Sequence, residues 1–234
     1  MNRLPADDIV SEALPPRRVN LAVFLPLATI ASILGLFVSG DDYHSFDVRV
    51  LEAAQRVDLP GLETLVRISN FVFGTAGALL LGVLLIVLAL RLRQTIFVLQ
   101  MGVVIVLRLV GQVLKPIFDS PRPPVEFQPD PSLVSSTLGY PSGHSYTAAV
   151  IAMMLVIFVS SLGAPRWVTW LTALGAIGAA VTAMYSRIAI GAHWPTDTIG
   201  GVMYGVATVA LMQLVVRAVS SRRNNLQPSL HEVT

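Results

Sequence analysis

The sequence predicts an all-α membrane protein: a bundle of six transmembrane helices with a short amphipathic helix at the membrane interface. Apolar residues make up 54% of the 234 residues and charged residues only 13%, whereas soluble domains usually carry about 25% charged residues. Six apolar runs are each close to the length that crosses a hydrocarbon core of roughly 30 Å. Five of these six runs contain no charged residue. These observations disfavour the alternative of buried helices in a soluble protein.

The predicted spans follow one another along most of the chain. They are Val19–Ser39, Ile68–Leu90, Thr95–Leu114, Ser145–Gly163, Trp167–Tyr185 and Thr198–Val216. The first run exceeds the 7–15 apolar residues of a signal peptide, so we interpret it as a retained span. Residues 45–57 carry apolar side chains at helical spacing, which predicts an amphipathic helix on the outer interface. The six spans form one membrane domain, residues 19–219, between polar tails at 1–18 and 220–234.

The distribution of basic residues predicts the orientation, because cytoplasmic loops are enriched in Lys and Arg. With the amino terminus inside, nine arginines lie in cytoplasmic segments and six basic residues lie outside. Three of the outer six, Lys115, Arg122 and Arg187, belong to polar clusters described next. Setting them aside leaves nine inside against three outside. Both termini are therefore predicted on the cytoplasmic side of the cell (inner) membrane.

Three polar clusters lie between the apolar runs. They are Lys115 to Pro123, Pro141 to His144, and Ser186 to Asp197. Between His144 and Ser186 lie 41 residues, enough for two membrane crossings and a tight turn. The first two clusters share one loop. All three clusters are therefore expected on the same face of the membrane, the extracytoplasmic one.

The residue types in these clusters favour a phosphate ligand. Lys115, Arg122 and Arg187 supply three cations, and guanidinium groups match phosphate oxygens. Ser142 and Gly143 stand where a helix is predicted to begin, which directs free backbone N–H groups toward a bound anion. Pro195 is likewise suited to a first helical turn.

The two histidines of these clusters can divide the chemistry between them. Asp197 follows His193 by four residues and can hold one ring nitrogen, which leaves the other free to attack phosphorus. His193 is then the candidate nucleophile of a phosphohistidine intermediate, and His144 the candidate general acid and base.

Metal-dependent and nucleic-acid-binding functions fit this set of residues less well. A magnesium site needs more carboxylates than the single clear one here, and a zinc ion would face three cations; no metal or other cofactor is expected. Cysteine is absent, which excludes disulfides and thiolate metal sites. The net charge of +2 and the lack of a basic, aromatic-rich patch argue against nucleic acid.

A transporter or flippase for an anionic lipid would also use cations. It has no need of a nucleophile and an acid, and transport sites lie near the midplane. Arg108, the only charge within the spans, has two open interpretations: long-range support of the phosphate site, or an interior arginine held by backbone carbonyls, Gln100 or Gln112.

The pattern Lys115-x6-Arg122-Pro123, Pro141-Ser142-Gly143-His144 and Ser186-Arg187-x5-His193-x3-Asp197 resembles the type 2 phosphatidic acid phosphatase superfamily. The resemblance covers roughly residues 40–217. It implies a metal-independent phosphatase with His193 as nucleophile, Asp197 as its partner and His144 as general acid, and phosphate held by Lys115, Arg122, Ser142, Gly143 and Arg187. Its candidate substrates are phosphatidic acid, phosphatidylglycerophosphate and polyprenyl pyrophosphates. Membrane lipids are the other expected partners, and the oligomeric state stays open.

Overall fold

The computed structural model describes residues 17–40, 44–58, 60–111, 114–134 and 138–225. These residues form nine helices and two 3₁₀ turns, with no strand among them, which confirms the all-α prediction. The helices are α1 (Arg17–Phe37), α2 (Ser45–Gln55), α3 (Leu62–Phe73), α4 (Thr75–Arg91), α5 (Thr95–Gly111), α6 (Leu114–Phe118), α7 (Gly143–Ser161), α8 (Arg166–Ala189) and α9 (Pro195–Asn225). The two turns are Val125–Phe127 and Pro131–Leu133.

Four helices, α1, α7, α8 and α9, are individually long and apolar enough to cross a membrane. They coincide with the first, fourth, fifth and sixth predicted runs. Large apolar side chains on the bundle surface are exposed, among them Ile33, Leu79 and Trp170 at 61%, 66% and 70%. Such a surface is stable in lipid, where apolar side chains need not be buried in protein. The chain is a membrane protein.

The second and third predicted runs differ from straight spans. The second is divided into α3 and α4, which meet at Gly74 with a bend of 63°. A β-carbon at Gly74 would lie 2.7 Å from the carbonyl oxygen of Asn70, so the bend requires glycine there. Helix α5 has 17 residues and falls short of a full span by length. The described residues thus include four helices of membrane-spanning length, a bent pair and a short apolar helix, and the count of six stays a prediction.

Helix α9 occupies the centre of the bundle and packs against α1, α5 and α7, while α7 also packs against α8. The core between them contains Phe97, Met154, Phe158 and Met212, all nearly inaccessible. Tyr140, just before α7, is fully buried, and its hydroxyl donates a hydrogen bond to the carbonyl oxygen of Ala31 in α1. The start of α7 is therefore fixed to the core.

The predicted amphipathic helix is present as α2. Its Leu51 packs against Ile188 and Trp194, whereas Phe46 and Val57 remain exposed. One face of α2 therefore docks onto the protein beside the third polar cluster, and its placement on the membrane interface stays a prediction. Helix α9 continues to Asn225, into the segment predicted as the carboxy-terminal tail. Residues 1–16 and 226–234 of the two tails lie outside the described residues.

Candidate active site

The three polar clusters meet around one cavity of about 430 Å³. Helices α7 and α8 contribute terminal residues to its lining, and the first turn of α9 carries Asp197 behind it. The predicted site residues that line the cavity are Lys115, Arg122, Gly143, His144, Arg187 and His193. Ser142 and Asp197 are fully buried next to this lining. The structure thus brings together all eight candidate residues.

The loop that carries His193 folds back onto the end of α8. The N–H groups of Ala192 and His193 both donate to the carbonyl oxygen of Arg187, at 3.0 and 3.2 Å. Gly191 has a positive φ of 65°, and a β-carbon there would lie 2.0 Å from the carbonyl oxygen of Phe127. Only glycine fits this backbone position. Helix α9 then begins at Pro195, where the fixed φ of proline suits a first turn.

His193 and Asp197 form a buried pair, 1% and 0% exposed. The Nδ1 atom of His193 lies 3.1 Å from Oδ2 of Asp197, which also accepts the Trp194 N–H at 3.1 Å. Oδ2 of Asp197 already acts as an acceptor for the Trp194 N–H, and Arg122 can only donate to Nε2, so Nδ1 of His193 carries the proton and Nε2 carries the lone pair. Nε2 lies 3.2 Å from Nη1 of Arg122, so the lone pair is directed toward the cationic groups.

The charge state of His193 follows from its surroundings. Burial, followed by the charges of Arg122, Arg187 and Lys115, lowers the pKa of His193 well below its usual value. The imidazole is therefore neutral at physiological pH. A neutral imidazole with a free Nε2 lone pair is the form that can attack an electrophile.

The cations around the cavity are held in place by the protein. Nη1 of Arg122 donates to the carbonyl oxygen of Ala192 at 2.5 Å, next to His193. Nζ of Lys115 donates to the carbonyl oxygen of Leu138 at 3.0 Å. Nη1 of Arg187 donates to Oδ1 of Asn70 at 3.2 Å, and its buried Nε has no acceptor among the described residues. The Nε–H of Arg187 is therefore a donor available to an anion.

The start of α7 adds backbone donors to this set. The hydroxyl of Ser142 caps the helix, accepting from the N–H and hydroxyl of Ser145 at 3.5 and 3.2 Å. The N–H groups of Gly143 and His144 belong to the first turn, which has no intrahelical acceptors. Together with the positive end of the helix dipole they favour an anion in the cavity.

Two further residues support the site although the motif pattern did not single them out. Asn70 lines the cavity from α3 and holds Arg187. Asp47 of α2 is 2% exposed and accepts from the N–H and hydroxyl of Thr196, at 2.9 and 2.8 Å. It thereby caps the start of α9, which carries Asp197. A polar residue inside an apolar run was the available signal for Asn70; Asp47 gave none, because its partner is distant in sequence.

Arg108 also lines the cavity. Its guanidinium lies over the ring of Tyr146, 5.0 Å from the centroid, a cation–π geometry. Gln112, one of its proposed partners, lies outside the described residues. Within the described ranges, no group of three or more His, Asp or Glu side chains is placed to hold a metal ion.

The protonation of Lys115 predicts how anion binding depends on pH. Burial, and then the charge of Arg122, lowers the pKa of Lys115 from 10.5 to about 8. The lysine is charged below this pH and neutral above it, so affinity for inorganic phosphate should fall by about tenfold or more between about pH 7.5 and 9.5. Because arginine stays charged over this range, Lys115→Arg should flatten the profile. The inhibition constant of inorganic phosphate as a competitive inhibitor, measured across this pH range, gives the affinity. If the affinity falls as steeply in Lys115→Arg as in the wild type, the titrating group is not Lys115.

Fold and site together define a class: a helical membrane protein with a carboxylate-held histidine facing a cationic cavity. The chain belongs to the PAP2 superfamily, whose family model matches residues 95–220. This confirms the resemblance drawn from the three motifs.

Two relatives illustrate the similarity. The crystal structure of a transmembrane PAP2-type phosphatidylglycerolphosphate phosphatase from Bacillus subtilis has the same fold, with a TM-score of 0.70 and 23% identity. The match covers 86% of this chain and 96% of that one. An undecaprenyl-diphosphatase from Sulfolobus acidocaldarius is 33% identical over 88 residues, or 38% of this chain. That alignment spans only 36% of the relative's length.

Proposed function

We propose that this protein is a membrane lipid phosphatase that hydrolyses a phosphomonoester or diphosphate of a lipid through a phosphohistidine intermediate. The His193–Asp197 pair carries the proposal, because it presents a neutral imidazole nitrogen to a cavity lined with cations. A transporter for an anionic lipid would need the cations but would not need the His193–Asp197 pair. Membership of the PAP2 superfamily and the named activities of the two relatives support the same class.

The proposed reaction has two steps. Arg122, Arg187, Lys115 and the α7 amides hold the phosphoryl oxygens, and Nε2 of His193 attacks phosphorus. The bond to the leaving oxygen breaks as the N–P bond forms, and His144 donates a proton to that oxygen. His144 then removes a proton from water, which attacks phosphorus and releases inorganic phosphate. Acid–base catalysis of this kind contributes about 10²–10⁴-fold.

Metal independence is part of the proposal. The fixed cations Arg122, Arg187 and Lys115 occupy the positions around the phosphoryl group from which a metal ion would otherwise stabilise charge. A divalent metal would have to approach them against their repulsion. The transition-state charge is therefore assigned to guanidinium, ammonium and backbone N–H donors of the protein.

A phosphate-release assay tests this function. Purified protein in detergent is given phosphatidic acid, phosphatidylglycerophosphate and a polyprenyl diphosphate, each in excess chelator, with a soluble phosphate ester for comparison. We expect release from at least one lipid, undiminished by the chelator. Absence of release from every lipid, together with movement of anionic lipid between vesicle leaflets, would favour a transporter. A strict requirement for added metal would overturn metal independence alone.

We further propose that the cavity faces the extracytoplasmic side of the inner membrane and that both termini are cytoplasmic. The turns at the opposite end of the bundle carry Arg91, Arg93 and Arg166, as expected for cytoplasmic loops. Since the chain lacks cysteine, single cysteines can report the topology. A membrane-impermeant maleimide should label Val125→Cys in intact cells and leave Leu162→Cys unlabelled until lysis. The reverse pattern would invert the proposed orientation.

A further inference from the structure

Arg108 is a cavity residue that stands outside the three motif clusters. It lies in the last turn of the apolar helix α5, inside the third predicted span. Ionisable residues in such positions mark functional sites by default. Among the described residues no carboxylate pairs with it, and its contact is the ring of Tyr146. A ring contact does not use the N–H groups as conventional hydrogen-bond donors. No oxygen atom of the described residues accepts from the guanidinium of Arg108.

The position of Arg108 differs from that of the other cations. Its Nη2 lies 3.7 Å from the point where a β-carbon on Gly143 would stand, beside His144. Its charge acts on Lys115 and, after the charges of Arg187 and Arg122, on His144. The charges that act most on His193 are those of Arg122, Arg187 and Lys115. Arg108 is therefore placed on the side of the proposed general acid, from which the leaving group departs.

The charges of the cavity exceed what one phosphate needs. Four cations line it, namely Arg108, Lys115, Arg122 and Arg187, and no carboxylate does so among the described residues. The four cations together with one negative charge on Asp197, behind His193, give the site a net charge of about +3. One phosphomonoester carries about −1.5 to −2. A diphosphate brings a second anionic group, and the cavity volume of about 430 Å³ is in the range of small-molecule sites.

We propose that Arg108 binds the phosphate that stays on the lipid when the substrate is a diphosphate, and so determines preference for lipid diphosphates over monophosphates. The inference rests on the proposed phosphatase function. It assigns to Arg108 a contact with the leaving group, whereas Arg122 and Arg187 hold the phosphoryl group that is transferred.

The chemistry of the diphosphate reaction gives this contact a purpose. Nε2 of His193 attacks the terminal phosphorus, and the bond from that phosphorus to the bridging oxygen breaks. The electron pair passes to the bridging oxygen, which becomes an oxygen of the departing lipid monophosphate. Arg108 stabilises the charge that develops there. With a monophosphate substrate the leaving group is an alcohol, which needs the proton of His144 and gains little from Arg108.

If Arg108 served only to pack against Tyr146, its replacement would change the activity on all substrates alike. The test therefore compares Arg108→Gln with the wild type on a polyprenyl diphosphate and on the monophosphate of the same chain. Arg108→Lys keeps the charge without the planar fork. Arg67→Gln is the matched control, since Arg67 is exposed and pairs with Glu63 away from the cavity. Elution as a single species in detergent checks folding.

We expect Arg108→Gln to lower kcat/KM for the diphosphate by about ten- to hundredfold, the range for one hydrogen bond to a charged group. Its kcat/KM for the monophosphate should stay within about threefold, and Arg108→Lys should fall between. Equal losses on both substrates, or none on either, would overturn the inference. Should Arg108→Gln fail to fold, the same comparison in Arg108→Lys decides it, with a selective loss on the diphosphate in support.

A binding measurement separates this inference from the proposed function. Thermal stabilisation by inorganic pyrophosphate and by orthophosphate is compared in the wild type and in Arg108→Gln. Selective loss of the pyrophosphate effect supports the assignment even if no lipid is hydrolysed, in which case the phosphatase proposal fails by itself. Equal stabilisation of both proteins by pyrophosphate would overturn the assignment even if the wild type hydrolyses lipid diphosphates.

Discussion

Replacement of His193 by alanine is expected to lower phosphate release by at least about 10⁴-fold, because the variant has no atom to form the covalent intermediate. His193 is the residue whose unprotonated Nε2 faces the cations, where it accepts from Nη1 of Arg122 at 3.2 Å. No second nucleophile is required by the proposed steps. Residual turnover would come from direct attack of water on the bound phosphate.

The covalent intermediate supplies a second measurement. Wild-type protein quenched during turnover of a terminally ³²P-labelled lipid should carry label that is lost in acid and kept in alkali, as expected for a phosphorus–nitrogen bond. His193→Ala should carry none. His44→Ala is the matched control, since His44 stacks on Phe37 with the ring centroids 4.3 Å apart and does not line the cavity. Full activity or retained label in His193→Ala would exclude the proposed nucleophile.

The parts of the fold that were predicted correctly depend on patterns within one segment. Helices α1, α7, α8 and α9 follow from uncharged runs of membrane-spanning length. The convergence of His144 and His193 follows from counting residues between clusters, since two crossings return the chain to the same side. The start of α9 at Pro195 follows from the preference of proline for a first turn.

The parts that were missed depend on pairs distant in sequence. Asp47 bonds Thr196 across 149 positions and Arg187 bonds Asn70 across 117, and no local periodicity indicates such a pair. The hydropathy of the second run, Ile68–Leu90, also predicted one straight helix where the structure has two, α3 and α4. The bend instead occurs at Gly74, where a β-carbon would lie 2.7 Å from the carbonyl oxygen of Asn70 and 3.4 Å from Nε2 of His144.

Asp197→Asn is expected to reduce kcat by about 10²–10⁴-fold and to leave KM nearly unchanged, since Asp197 lies behind His193 and does not line the cavity. Oδ2 of Asp197 accepts both from Nδ1 of His193 and from the Trp194 N–H. If the amide oxygen of asparagine takes this position, both bonds persist without the negative charge. If the amide nitrogen takes it, Nδ1 must accept, Nε2 becomes protonated, and the nucleophilic lone pair is lost.

The split between kcat and KM distinguishes this role from a contribution to folding. A variant that unfolds in part loses active protein, which lowers the apparent kcat along with the fraction that binds phosphate. Binding of inorganic phosphate by Asp197→Asn should therefore match the wild type while turnover falls. Asp130→Asn serves as control, because Asp130 is exposed, its side chain accepts from the N–H and hydroxyl of Ser132, and it does not line the cavity. Wild-type turnover in Asp197→Asn would mean that the imidazole is oriented without the carboxylate, and the charge of Asp197 would then have no part in catalysis.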